Sequence, residues 1–267
     1  MTSSTDGRQG RAAQCPDVVL LDLDGVVWLA HRPIPGSVEG IAALRDAGVR
    51  VLFATNNSGS TVAEQVTALA SIGIEAEGDV LTSAMAGALL VHRGERVLVC
   101  GGPGVVEAVE LRGATVVTEG PCDAVMVGFH RTFTYERLRL AATAVHAGAR
   151  LIGTNDDATY PTPDGPIPGG GAILAAVEVG SGTKAIIAGK PYEPMADLVR
   201  EQVGMVAARD AVMVGDRPST DGRFALELGC RYAHVWSGVT PRGVVVNPTP
   251  DMVGDDLGDV VRQLLAR

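Results

Sequence analysis

The stretch "LLDLDGVVW" (20–28) places two carboxylates, Asp22 and Asp24, directly after an apolar run and before a glycine. The run at 18–21 is typical of a strand buried inside a parallel sheet. Because successive strand side chains point to opposite faces, positions 22 and 24 can point the same way. Two carboxylates that close repel each other unless a cation or protons intervene. The stretch therefore predicts either a cation-dependent site or an ordinary acidic loop or helix cap after a strand.

Strand-like and helix-like patterns alternate along most of the chain. Buried strands are predicted at 49–57, 210–216 and 230–238, and helices at 37–48, 61–73 and 219–229. Such alternation predicts right-handed crossovers and a mainly parallel sheet, which is an α/β fold. In these sheets the ligand site lies beyond the carboxyl ends of the strands.

The middle of the chain repeats the alternation without acidic strand ends. Its predicted strands are 96–102, 123–129 and 149–155, with helices at 103–112, 134–147 and 170–180. We interpret residues 84–183 as a second α/β unit inserted into a core made of 17–83 and 184–267. Residues 1–16 are polar and predict a flexible N-terminal tail.

Composition limits the possible partners and compartment. The 267 residues carry a formal charge of −9, which argues against a nucleic-acid or anionic-membrane surface. The four cysteines are scattered without metal-like spacing, and no apolar stretch approaches the roughly 20 residues of a membrane span. Because the tail also lacks the apolar core of a signal peptide, we expect a cytoplasmic protein.

Polar residues follow four of the predicted strands. They are Asp22 and Asp24; Thr55, Asn56 and Asn57; Lys190; and Asp216 and Asp221. This set meets the needs of phosphoryl transfer. A hard cation such as Mg²⁺ prefers carboxylate oxygens, and Asp22 can also act as a nucleophile. Asp24 can then serve as acid and base, while Thr55 and Lys190 face the charge of a phosphoryl group.

The segments "DLDGVVW", "ATNNS", "GKP" and "GDRPSTD" resemble the four motifs of the haloacid dehalogenase superfamily. The resemblance is closest to its subclass IIA, the NagD-like or 4-nitrophenylphosphatase-like phosphatases, which carry a large α/β cap between the second and third motifs. It covers residues 17 to the end and implies a Rossmann-like core and Mg²⁺-dependent hydrolysis of phosphate monoesters. The resemblance implies that Asp22 is the nucleophile and Asp24 the acid/base, with the Asp24 carbonyl also binding metal. It implies that Asp216 is a metal ligand and that Asp221 is a partner residue of the metal site. The implied phosphate-binding residues are Thr55, Asn56 and Lys190.

The segment 153–174 also resembles the subclass, in which a cap loop closes over the core. Tyr160 falls where the family varies its specificity residue, so we expect a substrate contact there; the alternative is a tyrosine packed under the proline-rich loop. Asn155 and Asp157 are interpreted as loop-structuring residues. Gly222 stands where the subclass usually has a β-branched residue, which predicts a looser helix start.

The expected function is Mg²⁺-dependent hydrolysis of a small phosphorylated metabolite, such as a nucleotide, sugar phosphate, glycerol 3-phosphate, phosphoglycolate or pyridoxal phosphate. A large cap would exclude proteins and nucleic acids from the site. Two alternatives stay open: a phosphomutase, in which Asp22 returns its phosphoryl group to a sugar, and a non-catalytic sensor of a phosphate ligand. Caps of this kind also suggest a possible homodimer.

Overall fold

A computed structural model describes residues 15–162 and 165–266 of the chain. Of the predicted N-terminal tail, residues 1–14 lie outside the described residues, while Cys15 packs against the apolar core two residues before the predicted boundary. None of the described helices is long and apolar enough to cross a membrane.

The strands follow the alternation that the sequence predicts. They are β1 (Val18–Leu21), β2 (Trp28–Leu29), β3 (Arg32–Pro33), β4 (Arg50–Thr55), β5 (Val80–Thr82), β6 (Arg96–Cys100), β7 (Thr115–Val117), β8 (Ala124–Val127), β9 (Arg150–Gly153), β10 (Thr159–Tyr160), β11 (Ile167–Pro168), β12 (Ile186–Ile187), β13 (Val212–Gly215), β14 (Arg231–Val235) and β15 (Met252–Gly254).

The α-helices lie between these strands. They are α1 (Ser37–Asp46), α2 (Val62–Ser71), α3 (Ser83–Ala88), α4 (Pro103–Leu111), α5 (Tyr135–His146), α6 (Gly170–Ser181), α7 (Glu193–Val203), α8 (Met205–Asp210), α9 (Arg223–Leu228) and α10 (Leu257–Leu265). Helix α2 begins with a capping box, in which Thr61 and Glu64 each accept a hydrogen bond from the other's backbone N–H.

The first sheet has the strand order β15-β14-β13-β1-β4-β5, and every neighbouring pair is parallel. Its central strand β1 is buried on both faces. Val19 and Leu21 pack into one apolar cluster, and Val18 and Leu20 into another on the opposite face. Helices cover both faces of the sheet, as parallel sheets require. The predicted α/β, Rossmann-like core is confirmed.

The second sheet has the strand order β12-β9-β8-β6-β7 and is also entirely parallel. It is built from chain that leaves the first sheet after β5 and returns before α7, so it is an insertion. Strand β12 (Ile186–Ile187) pairs with β9. The predicted division between residues 183 and 184 therefore falls just before the last strand of this sheet.

The helix predicted at 219–229 begins differently from a regular α-helix. Pro218–Gly222 form a π-helical turn, and α9 follows directly. A Cβ atom at Gly222 would lie 2.9 Å from Pro248 and 3.0 Å from Tyr232, so a larger side chain would not fit there. Turns of this type are frequent at functional sites, and this one carries Asp221.

Candidate active site

The polar strand ends meet at one edge of the first sheet. Strands β13, β1 and β4 are neighbours and run in the same direction, so Asp216, Asp22 and Thr55 come together at their carboxyl ends. Together with residues from the second sheet they line a pocket that encloses about 70 Å³, which we call the inner pocket. The charged residues of the inner pocket are Asp22, Asp24, Asp157, Lys190, Asp216, Arg217 and Asp221.

Three carboxylates form the centre of the inner pocket. One oxygen each of Asp22, Asp216 and Asp221 lie within 4.8 Å of one another. Burial raises the pKa of Asp22 well above its usual range, because the opposing effect of Lys190 does not compensate for burial and the two neighbouring carboxylates. Burial and the Asp221 carboxylate raise the pKa of Asp216 to about 6. Ionising all three groups therefore requires a cation.

Lys190 supplies part of this positive charge. Its Nζ donates to Asp22 Oδ1 at 2.8 Å and to Asp221 Oδ1 at 2.7 Å, and the side chain is only 1% exposed. Burial by itself would lower the pKa of Lys190, but the two carboxylates raise it above its ordinary value. Lys190 is therefore a permanently charged group, since a cation buried against two carboxylates keeps its proton.

Asn56 holds Lys190 in place rather than pointing its side chain into the pocket. Its Oδ1 accepts from the Lys190 backbone N–H at 2.8 Å, and its Nδ2 donates to the Lys190 carbonyl at 3.0 Å. Thr55 is buried and its Oγ1 accepts from the Asn57 backbone N–H at 3.0 Å, so its own hydroxyl proton is free to donate. The predicted phosphate-binding pair thus lies at the pocket, with the Asn56 amide already engaged.

Two glycines make room for the Asp216 carboxylate. Gly25 has a φ of +92°, which favours glycine, and a Cβ atom there would lie 2.7 Å from the Asp216 carboxyl. A Cβ atom at Gly238 would lie 1.9 Å from Asp216 Oδ2. The Val239 backbone N–H donates to the same oxygen at 2.6 Å. The chain is therefore shaped closely around one carboxylate, which fixes the direction in which it points.

Asp24 lies at the same pocket but outside the lysine cluster. Burial raises the pKa of Asp24, while the nearby His31 and a hydrogen bond from Trp28 oppose the rise. A carboxyl group with a raised pKa can hold a proton that a more exposed aspartate would lose. This is the property that a general acid needs.

Asp157 and Arg217 join the two sheets across the inner pocket. Arg217 Nη1 lies 3.3 Å from Asp157 Oδ1, and Asn56 Nδ2 donates to Asp157 Oδ2 at 2.9 Å. Asn155 accepts from the Asp157 backbone N–H through Oδ1 at 3.1 Å and donates to the Asn56 carbonyl at 2.8 Å. Asn155 and Asp157 therefore structure their loop, as expected. Asp157 also contacts Asn56 and Arg217, which follow strands of the first sheet.

Tyr160 forms part of the pocket wall. Its ring stacks on Phe129, with ring centroids 5.0 Å apart and planes inclined by 16°. Burial, followed by the charge of Asp24, raises the pKa of Tyr160 to about 12, so the phenol stays neutral. Tyr160 thus has both a packing partner and a face on the pocket, and a contact with substrate stays a prediction.

The sequence of this chain matches two family models. One, described as a haloacid dehalogenase-like hydrolase, matches residues 19–115, and a second, described as HAD-hydrolase-like, matches residues 187–260. The chain belongs to the haloacid dehalogenase-like hydrolase family. The two matched segments contain every strand of the first sheet, and the second sheet lies partly between them.

Individual members of this family resemble the chain over most of its length. An acid sugar phosphatase of Staphylococcus saprophyticus is 32% identical over 251 residues, covering 92% of this chain and 96% of that protein. A 4-nitrophenylphosphatase structure from Thermotoga maritima has a TM-score of 0.86 at 32% identity and covers 92% of this chain and 97% of that one. The predicted resemblance to the 4-nitrophenylphosphatase-like, NagD-like subclass is confirmed.

The donor set of the inner pocket fits a magnesium ion. Five carboxylates and only two cationic side chains line the pocket, and oxygen is the ligand atom that Mg²⁺ prefers. A glycerol phosphate phosphatase of Mycobacterium tuberculosis in complex with magnesium has a TM-score of 0.83 at 33% identity, covering 93% of this chain and 77% of that one. The donor set and this relative agree, and the predicted Mg²⁺ cofactor is confirmed.

Arg217 is the charged pocket residue that sequence reasoning did not single out. It follows Asp216 inside the quoted "GDRPSTD" segment, so its position in a motif was the available signal. Its backbone N–H donates to Asp221 Oδ2 at 3.1 Å, and its side chain reaches Asp157, 60 residues earlier in the chain. That long-range partner could not be read from local sequence.

Proposed function

We propose that this chain is a Mg²⁺-dependent phosphatase that hydrolyses a small phosphorylated metabolite through an aspartyl-phosphate intermediate on Asp22. The observation that carries the proposal is the buried Lys190, which binds Asp22 and Asp221 at the same strand ends where Asp216 completes a cluster of three carboxylates. When bound, Mg²⁺ would be held by Asp22 and Asp216, with the Asp24 carbonyl as a further proposed ligand, and would neutralise charge on the transferred phosphoryl group.

The first chemical step uses Asp22 and Asp24. The Asp22 carboxylate attacks phosphorus, and the bond between phosphorus and the leaving oxygen breaks. The carboxylic acid of Asp24 gives its proton to that oxygen, which departs as an alcohol. The raised pKa of Asp24 supports this role, since the group must be protonated when substrate binds. Lys190 offsets negative charge as the phosphoryl group transfers.

The second step hydrolyses the aspartyl phosphate. A water molecule attacks phosphorus and gives a proton to the Asp24 carboxylate, which the first step has just deprotonated. The bond between phosphorus and the Asp22 oxygen breaks, so phosphate is released and both aspartates return to their starting states. Thr55 lines the pocket, which supports the proposal that it donates a hydrogen bond to a phosphoryl oxygen in both steps.

The size of the inner pocket supports a small substrate. A volume of about 70 Å³ suits a phosphoryl group with its metal, but not the body of a macromolecule. Residues of the inserted unit, among them Phe129, Asn155 and Tyr160, line the pocket together with the strand ends of the first sheet. Lining by both units limits the access of bulk water and large substrates to the reacting atoms.

The test is phosphate release from 4-nitrophenyl phosphate with Mg²⁺ and with EDTA. We expect metal-dependent release that Asp22→Asn lowers by about 10³-fold or more, because the substitution keeps the shape but removes the anionic nucleophile. Asp46→Asn, at an exposed position at the end of α1, is the matched control and should keep full activity. Release that persists in Asp22→Asn would overturn the proposed intermediate.

A further inference from the structure

A second cavity lies beside the inner pocket. It measures about 500 Å³, and Asn57, Phe129 and Tyr160 line both spaces. We call this space the outer cavity. Because both spaces border the same three residues, the outer cavity adjoins the pocket in which the phosphoryl group of a phosphate ester would bind. A volume of this size is typical of small-molecule sites.

The outer cavity differs from the inner pocket in charge. The inner pocket is lined by five carboxylates, whereas no carboxylate is found among the described residues that line the outer cavity. The titratable residues that line it are Arg131, His31, His130 and Tyr160, whose phenol is neutral. Burial lowers the pKa of His130, so Arg131 carries the permanent charge. In a chain with a net charge of −9, a cavity without acidic groups favours an anionic ligand.

Arg131 is available for such a ligand. Among residues 15–162 and 165–266 it has no carboxylate within ion-pair distance, unlike Arg217, which binds Asp157. It is close enough to Tyr160 to oppose the rise in the pKa of that phenol. A guanidinium can bind a carboxylate or phosphate through two parallel hydrogen bonds.

The hairpin β2–β3 provides a second, independent observation at this cavity. Its two turn residues, Ala30 and His31, have φ values of 49° and 63°, a conformation that residues other than glycine rarely adopt. The His31 ring lies against Trp28 with centroids 4.8 Å apart, and His31 lines the outer cavity. Strained backbone of this kind clusters at ligand sites. The strained turn therefore holds an imidazole at the rim of the outer cavity.

We propose that the outer cavity receives the leaving alcohol of the substrate and that Arg131 selects alcohols carrying a second anionic group, a carboxylate or a phosphate. Hydroxyl groups of the alcohol would form hydrogen bonds with polar side chains that line the cavity, namely Asn57, Ser60 and Thr132. The carbon chain of the alcohol would pack against the stacked rings of Phe129 and Tyr160. The preference rests on the phosphatase function proposed above, because it concerns the other half of the same substrate.

The test compares substrates that differ by one carboxylate. 3-Phosphoglycerate is paired with glycerol 3-phosphate, and 6-phosphogluconate with glucose 6-phosphate, so that both small and large alcohols are covered. We expect kcat/KM to be at least about tenfold higher for the acid in one of the pairs. Arg131→Gln should remove most of that preference through KM, and Arg131→Lys should retain part of it. In both variants we expect kcat/KM for 4-nitrophenyl phosphate, which carries no second anionic group, to fall less than kcat/KM for the acids.

Arg139→Gln is the matched control, because it removes an exposed arginine on α5 that pairs with Glu136 and does not line the cavity. Hydrolysis of 4-nitrophenyl phosphate without an acid preference in either pair would overturn this inference and leave the proposed function intact. An equal loss on acid and neutral esters in Arg131→Gln would also overturn it. Failure to hydrolyse any of the five esters would instead overturn the proposed function and the preference that rests on it.

Discussion

The two parallel sheets of this protein have the same construction but end differently. In the first sheet, β1, β4 and β13 are followed by Asp22, Asn56 and Asp216, whose side chains carry charge or hydrogen bonds. In the second sheet, β6 and β8 are followed by glycines, Gly101 and Gly128. Among these five strands, the position after the strand carries a polar side chain in the first sheet and a glycine in the second.

Two further glycines after β6, Gly102 and Gly104, have a packing reason. The loop after β4 passes close to the start of α4, where a Cβ atom at Gly104 would lie 2.1 Å from the Ser60 carbonyl oxygen and one at Gly102 2.5 Å from that of Gly59. The Ser58 hydroxyl accepts hydrogen bonds from the Phe129 backbone and from Thr154. Close-packed backbone of the second sheet therefore faces the first sheet. The pocket forms where the strand ends of the first sheet meet this backbone.

Replacing Asp24, at the polar strand ends of the first sheet, should have the largest effect on turnover. With 4-nitrophenyl phosphate, whose leaving group departs readily without a proton, Asp24→Asn should lower steady-state turnover about 10²–10⁴-fold. A rapid burst of roughly one nitrophenolate per enzyme should remain, because only the hydrolysis of the aspartyl phosphate needs the base. Rapid-quench or stopped-flow absorbance measures both phases. Asp22→Asn should show no burst. If a folded Asp24→Asn protein also showed no burst, the assigned order of steps would be wrong.

Adding one methyl group where the second sheet packs against the loop after β4 should mainly lower the stability of the protein. We expect Gly104→Ala to lower the free energy of unfolding by about 1–3 kcal/mol, since the Cβ atom would overlap the Ser60 carbonyl. Gly180→Ala, in helix α6 of the inserted unit, is the matched control. Its Cβ atom would lie 3.6 Å from the nearest neighbour, so the change should be neutral or stabilising by up to ~1 kcal/mol. Urea denaturation measures both, and equal effects would contradict the packing argument.

The carboxylate cluster should link stability to pH and to Mg²⁺. Since the folded state raises the pKa of Asp216 to about 6 from 3.8, it holds the proton more tightly than the unfolded chain does. That contribution to stability is complete below about pH 4 and is lost as the pH rises through about 6. Mg²⁺ binds the ionised form, so its stabilising effect should grow over the same range.

Thermal unfolding with Mg²⁺ and with EDTA measures this effect. We expect the Mg²⁺-induced rise in Tm to be a few degrees larger at pH 7.5 than at pH 5. Asp216→Asn should reduce the rise at both values. A rise that is the same at both pH values in the unmodified protein would argue against Asp216 as the ligand.

The smallest effect is expected at Tyr160, for which we predict a contact with substrate. Tyr160→Ala removes the ring that stacks on Phe129 and lines both the inner pocket and the outer cavity. We expect the ratio of kcat/KM between metabolite esters to change roughly three- to tenfold, with a smaller change for 4-nitrophenyl phosphate. Equal losses on every substrate, measured side by side, would favour a purely structural tyrosine.

Local patterns in the chain were enough to predict the fold and the nearness of the reactive residues. The alternation of buried strands and amphipathic helices predicts parallel sheets, and the carboxyl ends of parallel strands meet at one edge. Asp22, Thr55 and Asp216 could therefore be placed together before any coordinates were known. The same local reasoning missed the π-helical turn at Pro218–Gly222, where Gly222 packs against Tyr232 and Pro248, two residues that are distant along the chain.

What the sequence determined by itself is thus the two-sheet architecture and the set of chemical groups at the first sheet's edge, because both follow from periodicity and from residues that are close along the chain. Tertiary structure alone decided that the Asn56 amide holds the Lys190 backbone, that Asp157 binds Arg217, and that the outer cavity contains Arg131 without a carboxylate among its described lining residues. The physical reason is that a polar side chain takes its partner from whatever long-range packing brings within about 3 Å, and no local pattern specifies that partner.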